Sequence, residues 1–433
     1  MKFKHGTRRR ASEYEPDLVQ WWKDHRTFEK SVEMRSPANA YVFYDGPPFI
    51  TGVPHFGTLL SSIIKDVVPR YQTMRGRRVE RRWGWDCHGL PAENFVEKQL
   101  GITDRRQIVA DSHQPAPLDK DGKPLPTISL EKYIRTARDS MIANSEAWQG
   151  VIDRIGRWVD FKGAYRTMDK DFMESVWWAF KQLYEAGKIY EGEKVLMYDT
   201  KFATPVSKAE VTMDNDAYQT VTDSSVYVKF RLISGEVVDD DIKGAEGVNI
   251  LAWTTTPWTL PANLMLAVSP EMTYCEVLVG GEKLVIAEEA LERVLQDDKH
   301  RPLDYEVLRR FSGDELVGRA YQPLDTGSAY PEDAKVHHIY PADFVTAESG
   351  TGIVHIAPAY GEDDFELAKR YGISAFHVID DDGYYFDSIY KGREVWSSNK
   401  YIAKDLAERG IVWRIEYIRH EYPFNPRSKQ RIM

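Results

Sequence analysis

Residues 43–60 read FYDGPPFITGVPHFGTLL, and this stretch decides the fold that the sequence predicts. It predicts a buried strand, then a loop rich in glycine and proline, then a helix that opens at His55. Residues 81–94, RRWGWDCHGLPAEN, predict the same order: a strand that ends at Asp86, a loop and a new helix. Ligands of α/β proteins bind where parallel strands end. The two stretches therefore predict a nucleotide site at the carboxyl edge of a parallel sheet.

The composition is that of an ordinary globular protein with room for two to three domains. Of 433 residues, 42% are hydrophobic and 29% are charged. No apolar run approaches the roughly 18 residues that a membrane span requires, and the N-terminus lacks the apolar core of a secretory signal. Cys87 and Cys275 are the only cysteines, which favours a reducing compartment over a disulfide scaffold. We therefore expect a cytoplasmic protein without membrane contacts.

The net charge of −10 neither supports nor excludes a nucleic-acid partner. Basic clusters at residues 8–10, 75–82 and 427–431 interrupt the acidic background. Each cluster is compatible with a phosphate contact or with a solvated face.

Hydrophobic periodicity and turn signals predict a first, α/β region over residues 1–191. The predicted helices are 13–33, 57–74, 130–155 and 170–187, and the predicted strands are 40–45 and 77–86. Pro69 should kink its helix or end the first part of it near Val68. The stretch 109–127, rich in proline and aspartate, predicts a surface loop.

The pattern changes near Gly192, after which strand-like runs alternate with turns to about residue 360. The runs are VYVKFRL, VNILAW, YCEVLVG, KLVIA and GIVHIA. They predict a β-rich domain over residues 192–397, inserted after the α/β half. Helices are predicted over 362–371 and 398–410, and we interpret 398–433 as a truncated return segment toward the second half of the α/β fold.

His55, Gly57 and Thr58 stand where a predicted helix follows the Gly46-Pro47 loop. A glycine at a helix start lets a phosphate approach the free N–H groups and the positive end of the helix dipole. The histidine can donate to a phosphoryl oxygen as charge develops there. The alternative is a buried or capping histidine, and the preceding strand and loop favour the phosphate site.

Asp86 ends the second predicted strand, between Trp85 and Cys87. A carboxylate in this place can pair with the ammonium group of a small ligand, and Trp83 and Trp85 can wall an apolar side chain. The alternative is an aspartate that caps the helix predicted over 91–100. The residues alone leave both interpretations open.

Thr254, Thr255 and Thr256 follow a predicted strand of the β-rich domain, with Asn263 shortly after them. Three adjacent hydroxyls form a dense surface of hydrogen-bond donors and acceptors. A threonine-rich strand edge is the alternative.

Residues 350–365 predict a strand that carries His355, then a turn and a helix start with Asp363 and Asp364. Two acidic residues at a helix N-terminus are most simply caps. No CxxC or HExxH pattern occurs, so that the sequence signals no metal site of those kinds.

Taken together, these segments resemble the isoleucyl-tRNA synthetases, which are class I aminoacyl-tRNA synthetases. The motifs are Tyr-Asp-Gly-Pro-Pro-Phe followed by Thr-Gly, Pro-His and Gly within 44–57, and Gly-Trp-Asp-Cys-His-Gly-Leu-Pro at 84–91. The resemblance runs from about residue 14 to residue 433, except for 109–127. It implies an α/β protein, with the first half of a Rossmann-like catalytic domain in 1–191 and an inserted β-rich editing domain in 192–397.

The resemblance also implies an activity, the ATP-dependent activation of isoleucine and its transfer to tRNA(Ile), with Mg²⁺ accompanying ATP as substrate. The implied ATP-binding and catalytic positions are His55, Gly57 and Thr58, and the implied amino-acid-binding positions are Gly46, Pro47 and Asp86.

An editing site is implied because isoleucine and valine differ by one methylene, worth only about 1–3 kcal/mol in a pocket; this pair is the standard example of that limit. A second site can hydrolyse mischarged valyl-tRNA. The implied pocket positions are Thr254, Thr255, Thr256, Asn263, His355 and Asp364. Asp364 matches the aspartate that anchors the α-ammonium group of the mischarged amino acid.

Two departures from the family pattern affect these expectations. Thr58 stands in the place of the second histidine of the family's ATP-binding signature. Asn425 and Ser428 stand near the place where many relatives have zinc-binding cysteines, so that we expect no structural zinc in this segment.

In relatives, the Lys-Met-Ser-Lys-Ser loop, the second half of the nucleotide fold and the anticodon-binding domain follow the region that this sequence covers. We therefore expect only part of the ligase site here, no ligation by this chain alone, and the C-terminal portion of the enzyme as a partner. Two alternatives are a stand-alone editing deacylase and a non-enzymatic tRNA-binding remnant.

Overall fold

A computed structural model of the chain describes residues 8–110, 114–119, 122–213, 217–233, 247–297 and 299–433. The chain divides into two units, Met1–Glu191 and Gly192–Met433. Part of the loop predicted over 109–127 lies outside the described residues. Among the helices of the described ranges, none combines the length and the hydrophobicity that a membrane span requires.

The first unit combines helices with a short parallel pair of strands. Its elements are α1 (Ala11–Asp24), α2 (Thr27–Glu33), α3 (Phe56–Met74), β1 (Arg82–Trp85), α4 (Leu90–Leu100), β2 (Ile108–Val109), β3 (Ile128–Ser129), α5 (Leu130–Arg154), β4 (Asp160–Arg166) and α6 (Lys170–Glu185). β1 pairs in parallel with β4. The predicted helices at α5 and α6 are confirmed, with C-terminal ends one and two residues earlier than expected.

Other predictions for this unit are wrong in part. The segment 40–45 forms a single bridge, from Ala40 to Arg78, in place of a strand. The prolines that follow it lack N–H donors for a ladder. The predicted helix 13–33 is two helices, because Arg26 between them has a left-handed backbone with φ of 50°.

Pro69 does not interrupt α3, which runs without a break from Phe56 to Met74. The buried residues of this helix are Ser62, Pro69 and Thr73, and the Thr73 hydroxyl donates to the carbonyl oxygen of Pro69 at 2.9 Å. A proline inside a helix costs about 3 kcal/mol. We infer that packing of this buried face outweighs that cost.

The second unit is built on a six-stranded sheet. Its elements are β5 (Tyr198–Asp199), β6 (Thr204–Pro205), β7 (Tyr218–Arg231), β8 (Val248–Thr254), β9 (Met265–Val268), β10 (Thr273–Val279), β11 (Glu282–Ala287), α7 (Leu291–Val294), β12 (Tyr305–Ser312), β13 (His338–Pro341), β14 (Ile353–Ile356), α8 (Glu362–Tyr371), α9 (Val395–Glu408) and β15 (Val412–Pro423). The strand order of the large sheet is β12-β10-β11-β8-β7-β15, and a second sheet has the order β13-β9-β14. The five predicted strand runs and the helix 362–371 are confirmed.

Residues 398–433, interpreted from the sequence as a return segment, belong to this second unit. β15 pairs with β7 in antiparallel register along most of its length, from Val412 opposite Val228 to Pro423 opposite Tyr218. The helix predicted over 398–410 begins three residues earlier, at Val395, where the Glu394 side chain caps it. The N-cap carboxylate satisfies the backbone N–H of Ser397, which explains the earlier start.

Asp199 is fully buried and ties the β5–β6 hairpin to the turn after β15. Its Oδ1 accepts from the backbone N–H groups of Lys201 and Phe202, both at 2.9 Å. Its Oδ2 accepts from the Asn425 amide at 2.6 Å and from the Ser428 hydroxyl. Asn425 and Ser428, singled out above in connection with zinc, are thus hydrogen-bonded to a carboxylate.

We expect Asp199→Asn to lower the free energy of unfolding of the second unit by about 2 kcal/mol. The new amide group would place a donor against the Asn425 donor. Urea denaturation of the 433-residue chain measures the change, and Asp343→Asn, at an exposed aspartate of the same unit, is the control. Equal stability of the two variants would contradict the prediction.

Candidate functional site

The loop at Gly46 in the first unit is held by a buried cluster of charges. The carboxylate of Asp45 is paired with the Arg157 guanidinium, and each side chain is only 5% exposed. Lys65 Nζ lies 2.7 Å from Asp45 Oδ1 and donates to the carbonyl oxygen of Gly46. The sequence predicted Gly46 and Pro47 as site residues but gave no signal for this cluster, because Asp45 and Arg157 are 112 residues apart.

Gly84 of β1 leaves room for the ring of Tyr165, which contacts the same loop. A Cβ at this position would lie 2.2 Å from the ring of Tyr165. The Tyr165 hydroxyl donates to the backbone carbonyl of Asp45 at 3.0 Å. Gly84 therefore permits β4 to hold the loop through a tyrosine.

His55 and Thr58 form the N-terminal cap of α3. The Thr58 hydroxyl donates to His55 O at 2.8 Å and accepts from His55 N at 3.0 Å. The side chain of His55 is exposed, and a Cβ at Gly57 would lie 3.1 Å from its ring. Thr58 thus stabilises the helix start, and the helix N-terminus with an exposed histidine is an arrangement that can bind an anion.

Asp86 lies at the end of β1, where its backbone pairs with the loop before α3. Asp86 N donates to Pro48 O at 2.9 Å, and Ile50 N donates to Asp86 O at 3.0 Å. Its carboxylate accepts only a long bond from His88 N, at 3.3 Å, among the described contacts. The helix-cap alternative is wrong, because Gly89 is the N-cap residue of α4.

The two tryptophans beside Asp86, which could have walled an apolar side chain, are buried in the core of the first unit. Trp83 and Trp85 are 1% and 2% exposed and pack against Trp148. Their rings form one buried cluster with Trp148, which stabilises β1.

The second unit contains an open cavity of about 330 Å³, lined by residues from the end of β8, from β14 and from the start of α8. The polar side chains of its lining include Thr254, Thr255, Thr256, Thr259, His355 and Asp364. Five of these six were predicted from the sequence. The structure therefore brings the threonine peptide and the 350–365 segment to one cavity.

Asn263, also predicted, lies behind the cavity wall and is fully buried. Its amide nitrogen is 2.7 Å from His355 Nδ1. On the other side of the ring, His355 Nε2 lies 2.9 Å from the hydroxyl of Thr259. Burial lowers the pKa of His355 to about 3, so that the imidazole is neutral at physiological pH.

Asp364 turns back over the first turn of α8, and its Oδ1 accepts from Ala357 N at 2.7 Å. Gly361 makes this possible, since a Cβ there would lie 2.2 Å from Asp364 Oδ2. Burial raises the pKa of Asp364 to about 6. A carboxylate with a raised pKa in a cavity is typical of a functional site, and a bound cation would stabilise its ionised form.

Thr259 and Gly361 were missed by the sequence analysis. Thr259 lies in the 3₁₀ helix Pro257–Ala262, three residues after Thr256, whose carbonyl oxygen accepts from its hydroxyl at 2.9 Å. This spacing of three residues from Thr256 is the feature of the sequence that could have indicated Thr259. Within the described ranges, no group of three or more His, Cys, Asp or Glu side chains is arranged to hold a metal ion.

Curated proteins named isoleucine--tRNA ligase are similar to most of this chain. The protein of Corynebacterium diphtheriae is 43% identical over 431 residues, which are 97% of this chain and 39% of that protein. Isoleucine--tRNA ligase 2 of Pseudomonas fluorescens is 41% identical over 411 residues, which are 94% of this chain and 36% of that protein. The chain thus spans about two fifths of the length of these relatives.

Among solved structures, a chain titled "The crystal structure of GlLeuRS-CP1" aligns with 44% of this chain and 98% of its own length. Its sequence identity of 15% and TM-score of 0.36 are too low to support a conclusion. The sequence model of a protein family, by contrast, matches residues 17–396, and its description is "tRNA synthetases class I (I, L, M and V)". This match covers most of the sequence, and the chain therefore belongs to the class I tRNA synthetases of the isoleucine, leucine, methionine and valine group.

Proposed function

We propose that this chain forms part of an isoleucine–tRNA ligase, and that the cavity of its second unit hydrolyses mischarged valyl-tRNA. The similarity to curated isoleucine--tRNA ligases supports the amino acid and the tRNA. The observation that carries the editing role is the cavity that joins the threonine peptide to the carboxylate of Asp364. ATP with Mg²⁺, isoleucine and tRNA(Ile) are the proposed substrates.

In the proposed activation step, a carboxylate oxygen of isoleucine attacks the α-phosphorus of ATP, the bond to the β-phosphate breaks, and pyrophosphate leaves. His55 and the first turn of α3, with Gly57 and Thr58, contact the phosphates. Mg²⁺ bound to ATP neutralises phosphate charge. Asp86 pairs with the ammonium group of isoleucine beside the Gly46 loop.

We propose further that activation of isoleucine requires a polypeptide segment in addition to this 433-residue chain. One face of α3 carries exposed apolar side chains: Leu60, Ile63, Ile64, Val67 and Met74. Contiguous exposed apolar surface of this kind is typical of an interface. Its proposed partner is the portion of the ligase that relatives carry after the matched region.

In the proposed editing step, a water oxygen attacks the carbonyl carbon of the valyl ester. The bond to the ribose oxygen breaks, and valine and tRNA are released. Asp364 holds the valine ammonium group, and the hydroxyls of Thr254 and Thr256 bind the ester and ribose. In this proposal the pocket admits valine and excludes isoleucine, as a second sieve requires.

Two assays on the 433-residue chain test the proposed function. Valyl-tRNA(Ile) should be deacylated faster than isoleucyl-tRNA(Ile), whereas ATP–pyrophosphate exchange should be absent until the remaining portion of the ligase is added. Exchange by this chain alone would refute the proposed partner. Tight tRNA binding without deacylation would support the tRNA-binding remnant instead.

A stand-alone editing deacylase is the second candidate function, favoured by the completeness of the cavity within one unit. It predicts the same deacylation but no exchange after the remaining portion of the ligase is added. The addition experiment therefore separates the two candidates.

We expect deacylation to increase as the pH rises through about 6. Asp364 has a raised pKa of about 6 and must be ionised to hold an ammonium group. Below this pH, kcat/KM should fall about tenfold per pH unit, and this inflection should be missing in Asp364→Asn. A flat profile from pH 5 to 7.5 would contradict the assignment.

The raised pKa of Asp364 has the opposite effect on the pH dependence of folding stability. Because the folded state binds the proton of Asp364 more tightly than the unfolded state, this group's contribution to stability is lost as the pH rises from about 4 to about 6. Activity and stability should therefore change in opposite directions over this range.

A further inference from the structure

A chain of hydrogen bonds lies behind the cavity of the second unit and leads through His355 to Thr259. It begins at Tyr321, which is 1% exposed and donates from its hydroxyl to Asn263 Oδ1 at 2.7 Å. Neither residue is among the described residues that line the cavity. The two therefore form a supporting layer.

The partners of Asn263 determine which way its amide points. The carbonyl oxygen of Met265, 2.9 Å from Nδ2, can only accept a hydrogen bond. The amide nitrogen therefore faces Met265 and donates its second hydrogen to His355 Nδ1 at 2.7 Å. A flipped amide would set its oxygen against the carbonyl oxygen of Met265, so that two acceptors would face each other.

The amide in turn determines the tautomer of His355. Because Nδ1 accepts a hydrogen bond, the ring proton lies on Nε2, which donates to Thr259 Oγ1 at 2.9 Å. The Thr259 hydroxyl in turn donates a hydrogen bond to the carbonyl oxygen of Thr256 at 2.9 Å. Each donor meets one acceptor, whereas a proton on Nδ1 would set two donors against each other.

We propose that Tyr321 is a positioning residue, which acts through Asn263 to lock His355 in the Nε2–H tautomer and to orient the Thr259 hydroxyl in the cavity. The effect on deacylation rests on the proposed function. The tautomer itself is a property of the folded chain and is measured without substrate.

The test uses the complete chain labelled with ¹⁵N-histidine, with the His355 signals identified by their loss in His355→Gln. The unmodified chain should show Nδ1 unprotonated and Nε2 protonated. In Tyr321→Phe, which keeps the ring, both signals should shift toward each other as tautomers mix. Tyr390→Phe, which removes the hydroxyl of an equally buried tyrosine, 2.8 Å from Asp405, should leave them unchanged.

Asn263→Asp is a second, directional variant. A carboxylate accepts and does not donate, so that the His355 proton should move from Nε2 to Nδ1. Unchanged His355 signals in Tyr321→Phe would overturn the proposed role of Tyr321, and unchanged signals in Asn263→Asp would overturn the role of the amide.

Deacylation measured on the same variants separates the role of Tyr321 from the proposed function of the cavity. Tyr321→Phe should lower the rate of valyl-tRNA deacylation about tenfold, with Tyr390→Phe unaffected. Shifted His355 signals in a chain that never deacylates would support the lock and refute the proposed function. Full deacylation with unshifted signals would refute the lock and leave the proposed function standing.

Discussion

Replacement of Asp364 by asparagine is expected to lower the rate of valyl-tRNA deacylation by about 100-fold or more. Among the described residues that line the cavity, Asp364 is the only one with a carboxylate. Loss of one partner from a desolvated charge pair costs about 3 kcal/mol, which corresponds to roughly 100-fold in rate. The asparagine oxygen can still accept from Ala357 N, so that the start of α8 should keep its structure. Single-turnover deacylation of valyl-tRNA(Ile) measures the effect.

The neighbouring Asp363 offers a matched control. It is exposed at the same helix start and has the same charge, so that Asp363→Asn removes an equal charge from the helix N-terminus. We expect this variant to deacylate within about twofold of the unmodified chain. Equal losses in the two variants would indicate a general electrostatic effect and remove Asp364 from the proposed binding role.

Elements with strong local signals were predictable from the sequence. The helix at 362–371 was predicted to the residue, because acidic residues at its start and Gly372 after its end mark both boundaries. Four strands of the large sheet, β7, β8, β10 and β11, were predicted because each contains a short apolar run between turns. The edge strand β12 was not predicted, because charged residues interrupt its apolar ones.

Predictions failed where distant residues decide the conformation. No local pattern indicates that Arg26 adopts a left-handed backbone, or that packing keeps the helix intact at Pro69. At the strand predicted over 40–45, the prolines that follow prevent a longer ladder, and the loop is held instead by side chains from Lys65 and Arg157. Such contacts depend on the tertiary fold.

The candidate site shows the same division. Thr254 and Asp364 were predicted through the family resemblance, and the structure places both in one cavity. Tyr321 and Gly361 were not predicted, because each acts through another residue rather than by its own chemistry. A tyrosine that holds an asparagine, and a glycine that makes room for a carboxylate, leave no motif in the sequence.

We expect Arg157→Met to destabilise the first unit by about 3 kcal/mol, because it leaves the Asp45 carboxylate buried with Lys65 as its remaining cationic partner. The variant also removes the bond to Ser62 Oγ and the guanidinium stacked 4.9 Å from the Trp83 ring. The loop at Gly46 should open more often as a result. Hydrogen–deuterium exchange of peptides within 43–60 measures this opening, and urea denaturation measures the stability.

Arg154→Met is the matched control, since Arg154 forms an ion pair with Glu15 in which both side chains are about half exposed. Exposed pairs contribute less than about 1 kcal/mol, so that this variant should unfold and exchange like the unmodified chain. The double variant Arg157→Met/Asp45→Leu should recover part of the stability lost in Arg157→Met, because no buried carboxylate is left with a missing partner. If the double variant is less stable than the single one by the full cost of a second deletion, the two side chains act independently. The loop beside the proposed isoleucine site would then depend on Lys65 and Tyr165 rather than on the buried ion pair.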